Sequence, residues 1–257
     1  MPSPEALLPC SETVIADRNL SLAACEEIYA QRTGWIGRRL HGKLPMYTLG
    51  AAAYLDLGFF AKPLEEYLAA AGSVRRWAGD AVTVLMERVR AELELQLGER
   101  VEYFESLPSP GFHIFIGAAI PQTDCARVVS ECASSHFDLQ YHYIPWERWF
   151  KAADFDRTLS FTLPLRLPEA GGGLEVWESL TLGHLRDELA RNAFPDQISA
   201  AHRTPPRYVP YTVGSMIVHG GHVLHQIAGV PYMSAMDERI TLQGHAIFAD
   251  GAWRLYW

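Results

Sequence analysis

Cysteine is scarce in this sequence, and its cysteines are not spaced as metal-binding or redox pairs. The 257 residues contain Cys10, Cys25, Cys125 and Cys132, with no Cys-x-x-Cys motif among them. A disulfide scaffold is shorter and richer in cysteine, and a structural zinc site needs closely paired ligands. Both classes are therefore excluded, and we expect a reducing, cytoplasmic compartment.

Long apolar runs and an excess of positive charge are also lacking. No segment approaches the roughly 18 apolar residues of a membrane span. Residues 1–20 contain acidic side chains and no continuous apolar core, so we expect no secretory signal. The formal net charge of −8 argues against nucleic acid or an anionic membrane as a partner, and a small molecule is the expected one. The oligomeric state leaves no mark on the sequence.

Residues 1–99 have the periodicity of amphipathic helices. Apolar side chains recur at spacings of three and four in 20–33 and in 62–98, as at Leu85, Val89 and Leu93. Gly72 is expected to divide the second stretch into two helices. Residues 46–50 are expected to form a short strand or an entry loop.

The pattern changes near residue 100 to short β-rich runs separated by glycine, proline and polar clusters. The predicted strands are 101–104, 112–116, 137–144, 158–165, 174–177, 211–218, 223–227, 239–248 and 253–256. Residues 178–210 interrupt them, with a predicted helix at 184–192 and a loop at 195–210. We expect a single domain over 1–257, in which helices in 1–99 buttress a β core in 100–257 and the insertion 178–210 forms a lid.

His136, Asp138 and His225 form the most informative group of residues. Alternate side chains of an extended segment share a face, so His136 and Asp138 point the same way. His225 lies in a predicted strand and can supply a third ligand. Two imidazoles and one carboxylate on one face of an octahedral metal are the ligand set of non-heme Fe(II) oxygenases.

The predicted strand 239–248 has one polar and one apolar face. Arg239, Thr241, Gln243 and His245 alternate with apolar or small residues. An arginine can grip a carboxylate through two parallel hydrogen bonds, and a threonine hydroxyl on the same face can add another. This strand therefore indicates a site for an acidic molecule beside the metal.

These motifs, in this order, resemble those of the Fe(II)/2-oxoglutarate-dependent dioxygenases. The resemblance includes His136-x-Asp138, Gly172-Gly173-Leu174, the distal His225 and Arg239-x-Thr241. It implies a double-stranded β-helix, or jelly-roll, core and Fe(II) bound by His136, Asp138 and His225. It further implies 2-oxoglutarate bound by Arg239 and Thr241, with Gln140 as an additional candidate, and O2 as the second co-substrate.

The reaction that the resemblance implies is hydroxylation of an unactivated C–H bond, with release of succinate and CO2. The halogenating branch of this family has a small residue where this chain has Asp138, so halogenation is not expected. We expect a small-molecule substrate such as an amino-acid derivative or a natural-product intermediate. The sequence indicates no catalytic residue beyond the metal ligands and no substrate-binding residue.

Other interpretations of the same residues remain open. His136 and Asp138 can be a hydrogen-bonded pair without metal, and Arg239 can be a structural ion-pair residue. The chain can then be a jelly-roll protein that binds a metal or a ligand without catalysis, or an iron oxygenase that does not use 2-oxoglutarate. His219 and His222 are expected to neighbour the metal site rather than to bind the metal.

Overall fold

The computed structural model describes residues 10–40, 44–119, 135–183, 204–230 and 233–257. The helix predicted at 184–192 lies outside the described residues, as do Cys125 and Cys132. Within the described ranges, no helix is long and apolar enough to cross a membrane.

Strands are the main regular structure of the described chain, and several of them come from its first hundred residues. They are β1 (Ser11–Val14), β2 (Ile36–Leu40), β3 (Leu44–Leu49), β4 (Val101–Tyr103), β5 (Gly111–Ile116), β6 (Ala153–Arg166), β7 (Gly173–Thr181), β8 (Arg207–Pro210), β9 (Ser215–Gly220), β10 (Val223–Ala228), β11 (Glu238–Ala249) and β12 (Ala252–Tyr256). Residues 46–50, expected to be a strand or a loop, therefore belong largely to a strand.

The α-helices whose bounds lie within the described residues are found between β1 and β4 in the sequence. They are α1 (Arg18–Ala30), α2 (Leu64–Ala69), α3 (Ser73–Trp77) and α4 (Asp80–Leu97). The predicted break at Gly72 is present, with φ of 68° at that residue. A second break at Gly79 was not predicted; there the side chain of Glu27 accepts hydrogen bonds from the N–H groups of Gly79, Ala81 and Val82 and so caps α4.

The larger sheet has one face against the helices and one face toward a cavity. Its order is β1-β9-β6-β11-β5-β3-β2, and β12 pairs with β11 and β4. Leu85, Val89 and Leu93 of α4 belong to the same buried cluster as Ile240 and Leu242 of β11. The alternation predicted for β11 is therefore present, since its apolar side chains face the helices.

The smaller sheet lies across the cavity from the larger one. Its described strands run in the order β10-β7-β8. Leu174 and Val176 of β7 pack with Ile217 of β9, which joins the two sheets through one apolar cluster. His136 forms an isolated antiparallel bridge with His225, so the segment that contains the motif follows the edge of this sheet.

Two predicted strands differ from the structure. The segment predicted as a strand at 137–144 forms a single bridge and then a 3₁₀ helix, Gln140–Tyr143. Instead, Tyr141 and Ile144 of this segment are buried in a cluster with Trp146. The indole N–H of Trp146 donates to the carbonyl of Tyr141. Tertiary packing of these aromatic residues overrides the local β preference.

The second difference concerns the segment around 207–218. The loop predicted up to residue 210 ends in β8, and the strand predicted at 211–218 begins only at Ser215. Gly214 has a φ of 85°, which ends the extended backbone before β9.

Candidate functional site

His136, Asp138 and His225 come together as the sequence predicts. One ligand atom from each lies within 4.8 Å of the others. His136 Nε2 is 3.7 Å from Asp138 Oδ1, and His225 Nε2 is 3.4 Å from Asp138 Oδ2. His136 is half exposed at one side of this group, whereas His225 is buried.

Backbone hydrogen bonds fix the relative position of the three residues. The N–H of His136 donates to the carbonyl of His225 at 2.9 Å, and the N–H of His225 donates back at 3.1 Å. The N–H of Asp138 donates to the carbonyl of Gly221, in the turn between β9 and β10. His136, Asp138 and His225 therefore come together without a continuous strand after His136.

The ring of His225 is oriented by its own strand. Its Nδ1 lies 2.8 Å from the carbonyl of Val223, so Nδ1–H donates and Nε2 faces Asp138. Metal-binding histidines are commonly held this way, with the second nitrogen on a backbone carbonyl. Burial lowers the pKa of His225 to about 3, which keeps the imidazole neutral as metal binding requires.

Asp138 is held by Ser160, a residue that the sequence did not indicate. Ser160 Oγ donates a short hydrogen bond to Asp138 Oδ2 and lies 2.8 Å from Nδ1 of His245. Burial raises the pKa of Asp138, but the neighbouring histidines outweigh burial and hold the pKa below its usual value. The group thus offers an anionic oxygen beside neutral imidazole nitrogen, a donor set that fits Fe(II).

A cavity of about 450 Å³ opens beside the three residues, which form part of its lining. Further lining residues come from β5, β6, β9 and β11 of the larger sheet; they include His113, Phe115, Ser160, Thr162, His219, Gln243 and His245. Gln140 is buried and also lines this cavity. The volume lies within the range of small-molecule sites, about 300–1,000 Å³.

Arg239 is buried next to the cavity without a hydrogen-bond partner among the described residues. It is 2% exposed, and Nε, Nη1 and Nη2 are all unsatisfied. Its guanidinium carbon lies 5.1 Å from the ring centre of Tyr211 and 6.0 Å from that of Phe115. The Tyr211 hydroxyl is likewise buried and unsatisfied. Since unpaired buried donors are costly, these two groups fit an acidic ligand that is bound between them.

Thr241 lies two residues beyond Arg239 on β11. It is buried and pairs with His113 of β5 and with Pro164 of β6. Antiparallel partners share a face, so Thr241 and His113 point toward the same side of the sheet as Arg239. Neither Arg239 nor Thr241 is among the described residues that line the cavity itself.

Comparison with solved structures identifies the architecture. No family model matches the sequence, and no curated protein is significantly similar to it. The non-heme α-ketoglutarate-dependent epimerase SnoN from nogalamycin biosynthesis matches with a TM-score of 0.54 and 13% identity, over 96% of this chain and 80% of that chain.

Two further structures match over nearly the whole chain. The α-ketoglutarate-dependent carbocyclase SnoK has a TM-score of 0.53 and 11% identity, over 98% of this chain and 93% of that chain. An N-substituted L-amino acid dioxygenase from Burkholderia ambifaria AMMD has a TM-score of 0.51 and 13% identity, over 96% and 85%. The chain has the double-stranded β-helix fold of these oxygenases. Because the sequence identities are this low, the similarity to these structures shows the fold alone.

In this double-stranded β-helix, one of the two additional histidines, His219, lies against the candidate ligand His225 and lines the cavity, whereas His222 is not among the described lining residues. The ring of His219 lies 4.3 Å from the ring of His225, and its Nδ1 is 3.1 Å from the carbonyl of Gly220. Nε2 of His222 is 2.9 Å from the hydroxyl of Tyr141. The compact group of three side chains that could hold a metal ion includes neither His219 nor His222.

Ser160, Tyr211 and His113 are site residues that the sequence reading did not identify. Ser160 and Thr162 alternate with Leu159, Phe161 and Leu163, a pattern that places them on one face of a strand but assigns them no role. Tyr211 follows a proline at the end of β8 and carries no motif. For Tyr211, the signal is three-dimensional: its hydroxyl is buried and unpaired, and its ring lies against the unpaired guanidinium of Arg239.

Proposed function

We propose that the chain is an Fe(II)- and 2-oxoglutarate-dependent oxygenase that oxidises a C–H bond of a small molecule. The observation that carries the proposal is the buried Arg239, whose unpaired guanidinium lies against Tyr211 and Phe115. Both of these residues line the cavity that the His-Asp-His group also lines. The fold supports the proposal. SnoN was crystallised with Fe³⁺, α-ketoglutarate and nogalamycin RO, and the Burkholderia ambifaria dioxygenase with α-ketoglutarate.

Each candidate residue has a defined role in this proposal. His136, Asp138 and His225 hold the metal on one face, and Ser160 keeps Asp138 Oδ2 occupied. Arg239 and the Tyr211 hydroxyl bind the far carboxylate of 2-oxoglutarate, with Thr241 and Gln140 as additional contacts. When bound, Fe(II) and 2-oxoglutarate react with O2 to give succinate and CO2 and the oxidising power for the substrate. The apolar cavity residues exclude water from this reaction.

Hydroxylation is the outcome that we propose among the reactions of such oxygenases. Among proteins of similar fold, SnoN is named as an epimerase and SnoK as a carbocyclase. Asp138 occupies the position at which a halogenating site would need a small residue, which argues against halogenation. Product analysis with mass and NMR spectra will distinguish oxygen insertion from loss of hydrogen.

Residues 178–210 are proposed as the lid of this single domain, with residues 1–99 as its buttress. The ends of the proposed lid, 178–181 and 207–210, belong to β7 and β8 of the smaller sheet. The ends of the insertion are tied to the site. The Trp177 indole donates to the carbonyl of Thr204 at 2.6 Å, and the N–H of Leu182 donates to the carbonyl of His222 at 2.9 Å. A small-molecule substrate and a cytoplasmic location complete the proposal.

Anaerobic titration tests the core of this proposal. Addition of Fe(II) and 2-oxoglutarate should give a visible metal-to-ligand charge-transfer band. His225→Ala should abolish metal binding and the band, whereas His142→Ala, at an exposed histidine, should retain both. Absence of the band, together with tight zinc binding and no succinate, would favour a binding protein. Turnover that ignores 2-oxoglutarate would favour an iron oxygenase of another kind.

A further inference from the structure

A π-helical segment forms one wall of the cavity. It spans Tyr54–Phe59, and four of its six residues line the cavity: Tyr54, Leu55, Gly58 and Phe59. Their positions repeat after four residues, so they occupy one side of this wide helical turn. Single π-helical turns are rare and are frequent at functional sites. The N-terminal region thus contributes to the site directly and does more than support the sheet.

A buried ion pair locks this wall in place. Asp56 does not line the cavity; its two oxygens lie 2.7 and 3.0 Å from Nη1 and Nη2 of Arg38, and the N–H of Ala52 also donates to it. Arg38 Nε donates to Thr48 of β3. Because a buried ion pair contributes little net stability, its main effect here is to fix the orientation of the wall relative to the sheet.

Aromatic rings surround the mouth of the cavity. Phe59 and Tyr143 line it and are 42% and 53% exposed. Tyr143 lies in the 3₁₀ helix that follows Asp138, and it packs against Gly58. A Cβ at Gly58 would lie 2.9 Å from Cε2 of Tyr143, so glycine permits this close approach. Phe137 adds a third ring to the described lining.

The described lining offers no ion-pair partner apart from the candidate metal site. Asp138 is its only carboxylate, and it contains no lysine or arginine. At the base of the wall, the Tyr54 hydroxyl lies 2.7 Å from Nε2 of His113, which forms a neutral hydrogen-bonded pair. Burial lowers the pKa of His113 to about 3, in keeping with that neutrality.

We propose that the wall of Tyr54, Leu55, Gly58 and Phe59, together with Tyr143, selects an uncharged substrate with a flat ring. The ring packs against Phe59 and Tyr143, since aromatic faces favour offset stacking or edge contacts. A charged group on the ring finds no counter-ion in the described wall and is disfavoured by desolvation. That the bound molecule is a substrate rests on the proposed function; the binding preference itself does not.

Ligand-observed NMR titration of the full-length chain tests this proposal with three matched probes: indole, the anion indole-3-acetate and the cation tryptamine. Zn(II) and 2-oxoglutarate are present throughout, so that Arg239 and the candidate metal ligands are not free to bind the charged probes. Indole should bind at least fivefold more tightly than either charged probe. Phe59→Ala and Tyr143→Ala should each weaken indole binding about threefold to tenfold. Phe155→Ala is the matched control, since Phe155 is 43% exposed but is not among the described lining residues.

A charge introduced into the wall gives a second, independent measurement. Phe59→Lys should reverse the preference, so that indole-3-acetate binds more tightly than indole. Equal binding of the three probes to the unmodified chain would overturn the proposal, as would unchanged indole binding in Phe59→Ala with an unaltered circular dichroism spectrum. Indole binding without the charge-transfer band would support the proposed binding preference and contradict the proposed oxygenase function. The band without indole binding would support the oxygenase function and contradict the binding preference.

Discussion

Arg239 is buried against the rings of Tyr211 and Phe115, but its nitrogens have no hydrogen-bond partner among the described side chains. An unsatisfied buried donor costs about 1–3 kcal/mol, and a charged one costs more. Replacement by the apolar Arg239→Met should therefore leave the free energy of unfolding unchanged or raise it by about 1–3 kcal/mol without ligand. The same variant should lose most of its affinity for 2-oxoglutarate. Urea denaturation and ligand titration measure the two effects.

A second buried arginine provides the control for Arg239. Arg254 is buried on β12, but it pairs with Glu102 and donates to the carbonyl of Ala249. Arg254→Met should lower the free energy of unfolding and leave 2-oxoglutarate binding intact. If Arg239→Met destabilised the protein as much as Arg254→Met, the guanidinium would have a structural partner, and its role in binding 2-oxoglutarate would be in doubt.

Ser160 positions the carboxylate of Asp138, and its removal should affect the metal more than the fold. Loss of such an outer hydrogen bond typically weakens metal binding or activity about 10- to 100-fold. Ser160→Ala should therefore weaken Co(II) or Fe(II) binding by about tenfold or more in calorimetric titration. Ser160→Thr keeps a hydroxyl and should restore much of the affinity. Equal metal affinity in the unmodified chain and Ser160→Ala would contradict this role.

At the scale of single residues, motif spacing predicted the candidate metal ligands, whose residue types have a strong chemical preference. It missed residues whose role depends on the atoms that they contact. His136, Asp138 and His225 could be selected because few residue types bind iron. Ser160 and Tyr211 could not, because serine and tyrosine occur in many environments. Their importance lies in which atoms they face, and that follows from the register of β6 with β11 and the end of β8.

At the scale of elements, periodicity was reliable for long segments and unreliable for short aromatic ones. The stripe in 62–98 predicted helices on both sides of Gly72, and α4 lies within it; the alternation in 239–248 predicted β11. Residues 137–144 alternate just as well but form a 3₁₀ helix, because Tyr141 and Trp146 gain more by packing in a common cluster. The short strands β1 and β2 lack enough alternation to be recognised before their partners are known.

The junction of β1, β6 and β9 depends on Gly214. Its φ is 85°, and a Cβ there would lie 2.0 Å from the carbonyl oxygen of Ala16. Its own carbonyl accepts from Ile15 and Ala16, and its N–H donates to Pro164. Gly214→Ala should therefore lower the free energy of unfolding by about 3 kcal/mol or more, from backbone strain and steric overlap.

Gly98 is the matched control for Gly214. It ends α4 with a φ of 65°, and a Cβ there would meet nothing within 4 Å. Gly98→Ala should cost only the left-handed backbone penalty, about 1 kcal/mol. Urea denaturation of both variants separates strain from overlap. If the two substitutions cost the same, the close approach of Gly214 to Ala16 would not contribute to stability.

At the scale of the whole molecule, one arrangement explains both stability and the proposed chemistry. The larger sheet presents apolar side chains to α1 and α4 and polar side chains to the cavity, as alternate residues of the same strands. The double-stranded β-helix was predictable through the order of motifs, whereas the contribution of Tyr54–Phe59 was not. A π-helical turn has no sequence signature that distinguishes it from an α-helical one.

The polar face also makes stability depend on pH, and His113 is a clear contributor. Burial and the charge of Arg239 lower its pKa from 6.5 to about 3. The unfolded chain therefore takes up a proton near pH 6.5, while the folded chain does not until about pH 3. Stability is consequently lost as the pH falls below 6.5, by up to about 1.4 kcal/mol per unit from this residue.

His113→Gln should remove this contribution while keeping a side chain that can hydrogen-bond to Tyr54. Between pH 7.5 and 5.0, the metal-free unmodified chain should lose about 2 kcal/mol more free energy of unfolding than the variant. Urea denaturation at a series of pH values measures the difference, with His142→Gln, at an exposed histidine, as the control. Parallel pH profiles for the unmodified chain and His113→Gln would show that His113 is protonated equally in both states, and would contradict a neutral polar pair at the base of the cavity wall.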